Sequence, residues 1–315
     1  MSRHAKLRAA VAALGIAFGT PVAAGAQAWV PPSGEGVFTF TYQGMSSDTH
    51  LDRDGQRFNP AQISGNTVLF GVDYGLTDQL ALDVRVAWVA NKYEGADLLH
   101  GPLDTGDYHG ALQDARVAVR YRLRPEHRLA LTPFVGVTIP THAYETRGHS
   151  APGRRLRAVQ LGLSGGRDLS VSRAELYVQG QYAYSFVERI ADLFIDRSNA
   201  DVEIGYTVLP RLTITAATAL QVTHGGVTAP LPRDDRFHEL SPIHDRVAKA
   251  DFVLFSAGGT FEVSRGLDFY ATAVWTVSGR NTHAIKGVSA GAGWTFGRTL
   301  SLAERRPMLA LRARP

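Results

Sequence analysis

Hydrophobic and polar residues alternate with a period of two along most of the chain, from Gly36 to Phe296. Successive side chains of a β-strand point to opposite faces, so this pattern predicts strands with one apolar face and one polar face. The clearest example is the segment 80–88, in which one face carries Leu80, Leu82, Val84, Val86 and Trp88 and the other carries Ala81, Asp83, Arg85 and Ala87.

The alternation recurs in twelve segments, each long enough to cross a membrane as a strand. A transmembrane strand needs about 9–11 residues, whereas strands of soluble proteins usually have about five or six. The lengths therefore favour a membrane barrel over a secreted β-sandwich. The predicted strands are 36–46, 65–75, 80–90, 112–123, 128–139, 157–167, 174–186, 199–208, 211–223, 250–263, 267–278 and 284–296.

Short and long connections alternate between these strands, with one compact exception at Gly279–His283. Outer-membrane barrels have short periplasmic turns and longer external loops. We therefore expect an all-β fold, a closed antiparallel transmembrane β-barrel of about twelve strands with both termini in the periplasm. The short turns are Leu76–Gln79, Arg124–His127, Asp168–Arg173, Leu209–Pro210 and Ser264–Gly266, and the long links are 47–64, 91–111, 140–156, 187–198 and 224–249.

Aromatic residues on the apolar faces fall into two groups, one at each end of the predicted strands. Amphipathic rings at both membrane interfaces are typical of membrane barrels. We expect Phe38, Tyr74, Tyr121, Tyr206, Phe261, Phe269 and Trp294 to face outward near the short turns, and Tyr42, Trp88, Tyr184, Phe186 and Trp275 to do so near the long loops.

The start of the chain has the features of a secretory signal peptide. Basic residues precede a short apolar stretch at 9–18, and overlapping A-x-A cleavage motifs follow at 24–26 and 26–28. We expect cleavage after Ala28, which leaves Trp29 as the first mature residue. The expected organisation is a signal peptide at 1–28, an outer-membrane barrel at 29–297 and a basic periplasmic tail at 298–315.

These features predict export to the outer membrane of a Gram-negative bacterium. The expected partners are outer-membrane lipid, the barrel-assembly machinery during biogenesis, and a small-molecule solute. The formal net charge of +4 arises at the chain ends, because the signal segment is basic and 298–315 holds five arginines against one acid. A basic tail is not a basic patch on a fold, so we expect no nucleic-acid partner.

The polar faces of the strands carry acidic and basic residues that a closed barrel turns toward its lumen. Charges removed from water are costly unless they pair or stay hydrated. The sequence leaves two interpretations open: an ion-pair ladder that braces the interior, or a polar pathway for a solute. The candidate lumen-lining residues are Asp73, Asp83, Arg85, Asp114, Arg116, Arg120 and Glu203, with Arg122, Glu175 and Asp251 also on this face.

Other chemistry is weakly indicated. His238 and His244, with Glu239 and Asp245, are candidate ligands for a divalent metal, but their spacing matches no metal motif, so we expect neither a metal nor a cofactor. Nucleophilic catalysis is equally weak: Ser278, Asn281 and His283 share one short connection, yet no catalytic motif accompanies them. We expect no enzyme. The spacing of apolar residues over 187–195 also predicts one or two helical turns in that loop.

Two segments at the ends of the barrel resemble a known family. The mature start, 29–36 (WVPPSGEG), and the close, 284–294 (AIKGVSAGAGW), resemble outer-membrane transporter barrels grouped as the MetA-pathway of phenol degradation family. The resemblance implies uptake or efflux of small, aromatic or hydrophobic compounds. We therefore expect a passive outer-membrane channel or transporter for small solutes. The alternatives are a structural or surface-interaction barrel, whose long loop 224–249 meets a partner, and, more remotely, an outer-membrane hydrolase.

Overall fold

Twelve long antiparallel strands form a single closed barrel in the computed structural model, which describes residues 28–59, 61–95, 101–123, 129–169, 175–228 and 237–297. The predicted signal segment up to residue 27, the turn residues 124–127 and the tail 298–315 lie outside the described residues. The strands are β1 Glu35–Ser47, β2 Ala61–Gly75, β3 Leu80–Gly95, β4 Ala115–Tyr121, β5 Leu129–Ile139, β6 Ala158–Asp168, β7 Glu175–Val187, β8 Ile195–Leu209, β9 Leu212–Gly225, β10 Asp251–Ser264, β11 Leu267–Arg280 and β12 Lys286–Gly297.

Each strand pairs with its neighbours in the sequence, and β1 closes the barrel by pairing with both β2 and β12. Phe38, for example, lies opposite Val72 on one side and Trp294 on the other. Closure gives the backbone groups of both edge strands a partner, as a bilayer interior requires. The predicted fold class and strand number are confirmed.

The two ends of the barrel differ, and we call them the turn end and the loop end. Two-residue turns at 210–211 and 265–266 lie at the turn end, whereas the loop end carries links such as 140–157 and 226–250. Some strands extend further toward the loop end than the alternation predicts: β2 begins at Ala61, and β3 continues to Gly95 opposite it. Others are shorter there, and β4 begins at Ala115. The alternation does not predict the extension of β2 and β3, because residues such as Lys92 beyond the apolar band are polar. The strands stay paired there although neither face is apolar.

The outer surface of the barrel is apolar, and the predicted aromatic residues lie on it. Phe269 and Trp294 near the turn end and Tyr42 and Trp88 near the loop end are exposed, whereas Tyr184 is half-buried because its ring stacks on His224. Aromatic rings flank the apolar band at both ends, as they do in membrane barrels. Among the described residues, no helix is long and apolar enough to cross a bilayer.

Segments from several loops pack together above the loop end. His50–Leu51 pairs with Arg57–Phe58 and with Thr282–His283 in a small second sheet. Short helical turns over 237–247 bring Val247 against Leu156 and Ile195. These contacts form an ordered loop layer over the mouth of the barrel.

The loop between β7 and β8 is a tight reversal, so the helical turns predicted over 187–195 are wrong. Ile190 and Leu193 form an isolated antiparallel bridge around Ala191 and Asp192, whose φ angles are 49° and 60°. Two consecutive positive φ values are typical of a hairpin turn that matches the twist of its strands. The apolar residues whose spacing suggests a helix have another role. Ile190 and Leu193 pack against the apolar cluster of the loop layer.

Candidate functional site

Five of the charged residues on the predicted inner face lie on three neighbouring strands and form one continuous wall. Asp73 lies on β2, Asp83 and Arg85 on β3, and Arg116 and Arg120 on β4. The alternation that exposes Val84 and Val119 to the outside turns these side chains inward, where Asp83 is only 2% exposed. We call this set the charged wall.

Asp83 is the centre of the charged wall. Its carboxylate accepts hydrogen bonds from Arg85 Nε at 3.0 Å and from Arg116 Nη1 at 2.6 Å. Asp73 lies directly opposite Asp83 in the ladder, and two facing carboxylates would repel each other. The arginines compensate this repulsion, so the wall requires both signs of charge.

Arg116 extends the network across two further strands. Its Nε and Nη2 donate to Gln160 Oε1 at 3.1 and 2.8 Å, and Gln160 Nε2 donates to Ser185 Oγ at 3.3 Å. The guanidinium also lies 5.6 Å from the centre of the Phe134 ring, within the range of a cation–π interaction. Arg116 on β4 therefore binds residues of β3 and β6 directly, and Gln160 continues the network to β7.

Arg120 links the wall to the residues that precede β1. Its Nη1 donates to Asp73 Oδ2 at 2.6 Å, and its Nη2 donates to the backbone carbonyl of Trp29 at 3.0 Å. The chain before the first strand therefore lies inside the lumen. This placement was not predicted from the sequence.

The inserted segment is 28–34, and a small set of contacts holds it. The Trp29 ring meets Tyr177 edge-on, with centroids 6.2 Å apart, and Ser33 N donates to Asp78 Oδ1 at 3.0 Å. Ala28 accepts a hydrogen bond from Thr132 Oγ1 at 2.6 Å. Cleavage after Ala28 would remove that last bond and keep the contacts of the Trp29 ring and carbonyl.

Two glycines of the wall leave the space that the segment fills. A Cβ on Gly166 would lie 2.5 Å from Ala28 Cβ and 2.8 Å from the Trp29 ring. A Cβ on Gly75 would lie 2.4 Å from the carbonyl oxygen of Pro31. Glycine in a strand often marks a close approach of another backbone. The two glycines within predicted strands could have indicated such an approach, but a glycine does not identify the segment that approaches it.

Glu203 and Asp114, the other two candidate residues, are buried and belong to other networks. Glu203 Oε1 accepts hydrogen bonds from Gln179 Nε2 at 2.8 Å and from Tyr177 at 2.9 Å, beside the inserted segment. Asp114 Oδ1 accepts one from Tyr144 at 2.6 Å in the loop layer. The seven candidate residues therefore occupy three places in the barrel.

The described interior is packed. Asp83, Thr132 and Ser164 come from different strands, and each is at most 2% exposed. Paired charges and an inserted segment leave little room at this level of the lumen. The ion pairs that brace this wall are also the groups that would line a passage along it. Both interpretations of the charges therefore stay open.

The loop layer gathers histidines that are scattered in the sequence. His149 Nδ1 lies 2.8 Å from Asp245 Oδ2, and His244 Nε2 lies 3.4 Å from Asp245 Oδ1. Burial lowers the pKa of His149, but the adjacent Asp245 carboxylate raises it more, so the net shift is upward. The loop 226–250 therefore contacts the loop 140–157 through charged side chains.

His283, a candidate for nucleophilic catalysis, lies in the loop layer against another histidine. Its ring meets the ring of His50 edge-on, with centroids 4.7 Å apart. Burial and the neighbouring His50 lower the pKa of His283 to about 3. Asn281 Nδ2 donates to the Lys249 carbonyl at 3.2 Å, and Ser278 is exposed. Ser278, Asn281 and His283 are therefore not arranged as a nucleophilic set.

A closed twelve-stranded barrel with an apolar outer band and a charged inner wall has the architecture of outer-membrane barrels. The chain superposes on an outer-membrane channel from Pseudomonas putida F1 with a TM-score of 0.64 and 14% identity, covering 87% of this chain and 99% of that one. The NanC porin gives a TM-score of 0.45 at 10% identity, covering 81% of this chain and 98% of that one. The KdgM porin gives 0.45 at 11% identity, covering 82% and 99%. No family model and no curated protein matches the sequence.

Proposed function

We propose that this protein is an outer-membrane channel for the passive passage of small solutes. The observation that carries the proposal is the inserted segment 28–34, because a separable piece of chain fills an otherwise polar lumen. A few hydrogen bonds hold its backbone, among them those of the Arg120, Thr132 and Asp78 side chains and the bond from Gly34 N to the Gly75 carbonyl. A typical hydrogen bond contributes only about 1 kcal/mol net, so the segment is held by less than a strand that is paired along both edges.

The proposal includes an orientation. The turn end and both termini face the periplasm, the loop layer faces the outside, and a signal peptide at 1–28 directs export. This arrangement follows the rule that periplasmic turns are short and external loops are long. It places segment 28–34 at the periplasmic entrance of the lumen.

The proposed solutes are small aromatic or hydrophobic compounds, the class implied by the resemblance to the phenol-degradation family. The inner face supports this class, because the Phe134 ring lies on the charged wall and Trp29 meets Tyr177 within the lumen. Aromatic rings and guanidinium groups together bind the flat faces of aromatic molecules. The proposed passage needs no cofactor and no chemical step.

Swelling of liposomes that contain the purified protein tests this proposal. We expect swelling with small aromatic solutes in the intact chain, and faster swelling when residues 29–33 are deleted. Aliphatic solutes of equal size provide the matched comparison for the solute class. If neither protein increases swelling over empty liposomes, the channel proposal is wrong.

The second candidate is a structural or surface-interaction barrel, and the ordered loop layer favours it. Arg246 Nε donates to the Arg154 carbonyl at 2.9 Å, and this bond joins the loop 226–250 to the loop 140–157. A fixed surface of this kind suits a partner. Permeability after the 29–33 deletion distinguishes the candidates, because a structural barrel would stay closed.

A further inference from the structure

Four histidines and one aspartate from four separate loops converge above the loop end of the barrel. The chain has eleven histidines, and no sequence spacing brings these four together. Several of them line one small, partly open cavity. The convergent residues are His50, His149, His244, Asp245 and His283.

Three of these side chains already have the separation of a ligand set. One nitrogen each of His149 and His244 and one oxygen of Asp245 lie within 4.8 Å of one another. A tetrahedral zinc ion with bonds of about 2.0–2.1 Å holds its donor atoms about 3.4 Å apart. Small side-chain rotations therefore suffice. The Asp245 side chain is 39% exposed, which leaves a path for an ion to enter.

The other two histidines lie next to this set. The rings of His50 and His283 are 4.7 Å apart, and both line the same cavity as His149 and Asp245. Within the described part of the chain, the buried Nε2 atom of His50 has no hydrogen-bond partner. A buried polar atom without a partner is costly, and a metal ion would give this imidazole one.

The geometry points to a binding site for a divalent transition metal of the Zn²⁺ class, formed by His149, His244 and Asp245, with His50 or water completing the coordination. Imidazole nitrogens with one carboxylate are a typical ligand set for zinc. The metal would join loops 140–157 and 226–250, which Arg246 already connects. Metal binding at this site can be measured without any assay of solute passage.

The positive charge of Arg154 disfavours cation binding at this site, and this provides a test. Arg154 lines the same cavity and is buried, so its guanidinium repels a cation bound near Asp245. Substituting Arg154→Gln should therefore tighten metal binding. If the cluster were an anion site instead, the same substitution would leave Zn²⁺ binding unchanged and weaken sulfate binding.

The experiment measures Zn²⁺ bound to the full mature chain in detergent, without a histidine tag because a tag would bind the probe. We expect one Zn²⁺ per chain in the wild type. The double variant His149→Ala/Asp245→Asn should lose this binding, while the control His142→Ala, from the same loop, should retain it. Co²⁺ in place of Zn²⁺ should give the visible absorption of histidine coordination in the wild type and the control only.

The inference is overturned if the wild type binds less than one Zn²⁺ per chain, or if the double variant binds as tightly as His142→Ala. Resistance of the barrel to unfolding in cold detergent shows that each variant is folded. The single variant His244→Ala provides a second test if the double variant does not fold. Because binding is measured without transport, a failed channel proposal leaves this result interpretable.

Discussion

Two regions of the inner surface fill the lumen with different residues. One is the charged wall on β2–β4, where Asp83 is bonded to two arginines. The other, on β9, β11, β12 and β1, is lined mainly by uncharged side chains, and small polar residues such as Thr215, Thr272 and Ser289 face inward from it. We call this second region the neutral wall.

The difference shows where the lumen is filled. On the charged-wall side, Arg120 and Gly166 both contact the inserted segment, the first by a hydrogen bond and the second by leaving space. On the neutral wall, a Cβ on Gly293 would meet no atom closer than 3.9 Å. The inserted segment therefore lies against the charged-wall side, whereas the neutral wall has space for a larger side chain at Gly293.

The largest expected effect is on stability, from Asp83→Asn in the charged wall. Losing this carboxylate leaves Arg85 and Arg116 as buried like charges, which should cost about 3–5 kcal/mol of unfolding free energy. The matched substitution on the neutral wall, Thr215→Val, should cost about 1 kcal/mol or less. Urea unfolding in lipid vesicles measures both, and equal losses would show that the two walls do not differ as described.

The next effect is on conductance, from Gly166→Ala. In the mature chain, which we expect to begin at Trp29, the added Cβ would lie 2.8 Å from the Trp29 ring, so this ring must leave its present position. Conductance in planar bilayers should rise severalfold. Gly293→Ala, where a Cβ has space, is the control and should leave conductance unchanged. A rise in the control as large as in Gly166→Ala would argue against a specific contact with the segment.

The smallest effect is expected from Arg116→Lys. Lysine can keep one bond to Asp83 but not the additional donors to Gln160, so we expect a loss of about 1 kcal/mol of unfolding free energy. A loss as large as that of Asp83→Asn would indicate that the Gln160 contacts, rather than the charges, stabilise the wall.

The barrel was predictable from the sequence because the alternation that defines each strand lies within a short segment of the chain. Alternation along 80–88 places Asp83 and Arg85 on one face whatever the rest of the chain does. The same rule turns Arg116 and Arg120 inward. The pairing of Arg116 with Asp83 then follows because their strands are consecutive in the chain, whereas Arg120 reaches across β3 to Asp73 on β2.

The parts that were not predicted depend on contacts between distant residues. Trp29 and Arg120 are 91 positions apart, and no periodicity relates them. His149 and Asp245 likewise meet only because two loops fold over the same mouth. The sequence favoured His238 with His244 as metal candidates because they are close in the chain, whereas the structure brings His244 to His149.

The most direct test of the central claim is the single-channel conductance of the chain that lacks residues 29–33, compared with the intact chain in the same bilayer. The deletion removes the Trp29 ring and its bond to Arg120 while leaving every strand of the barrel in place. The account predicts small or brief openings for the intact chain and a steady, severalfold larger conductance for the deletion. Equal conductance, or two silent bilayers, would contradict it.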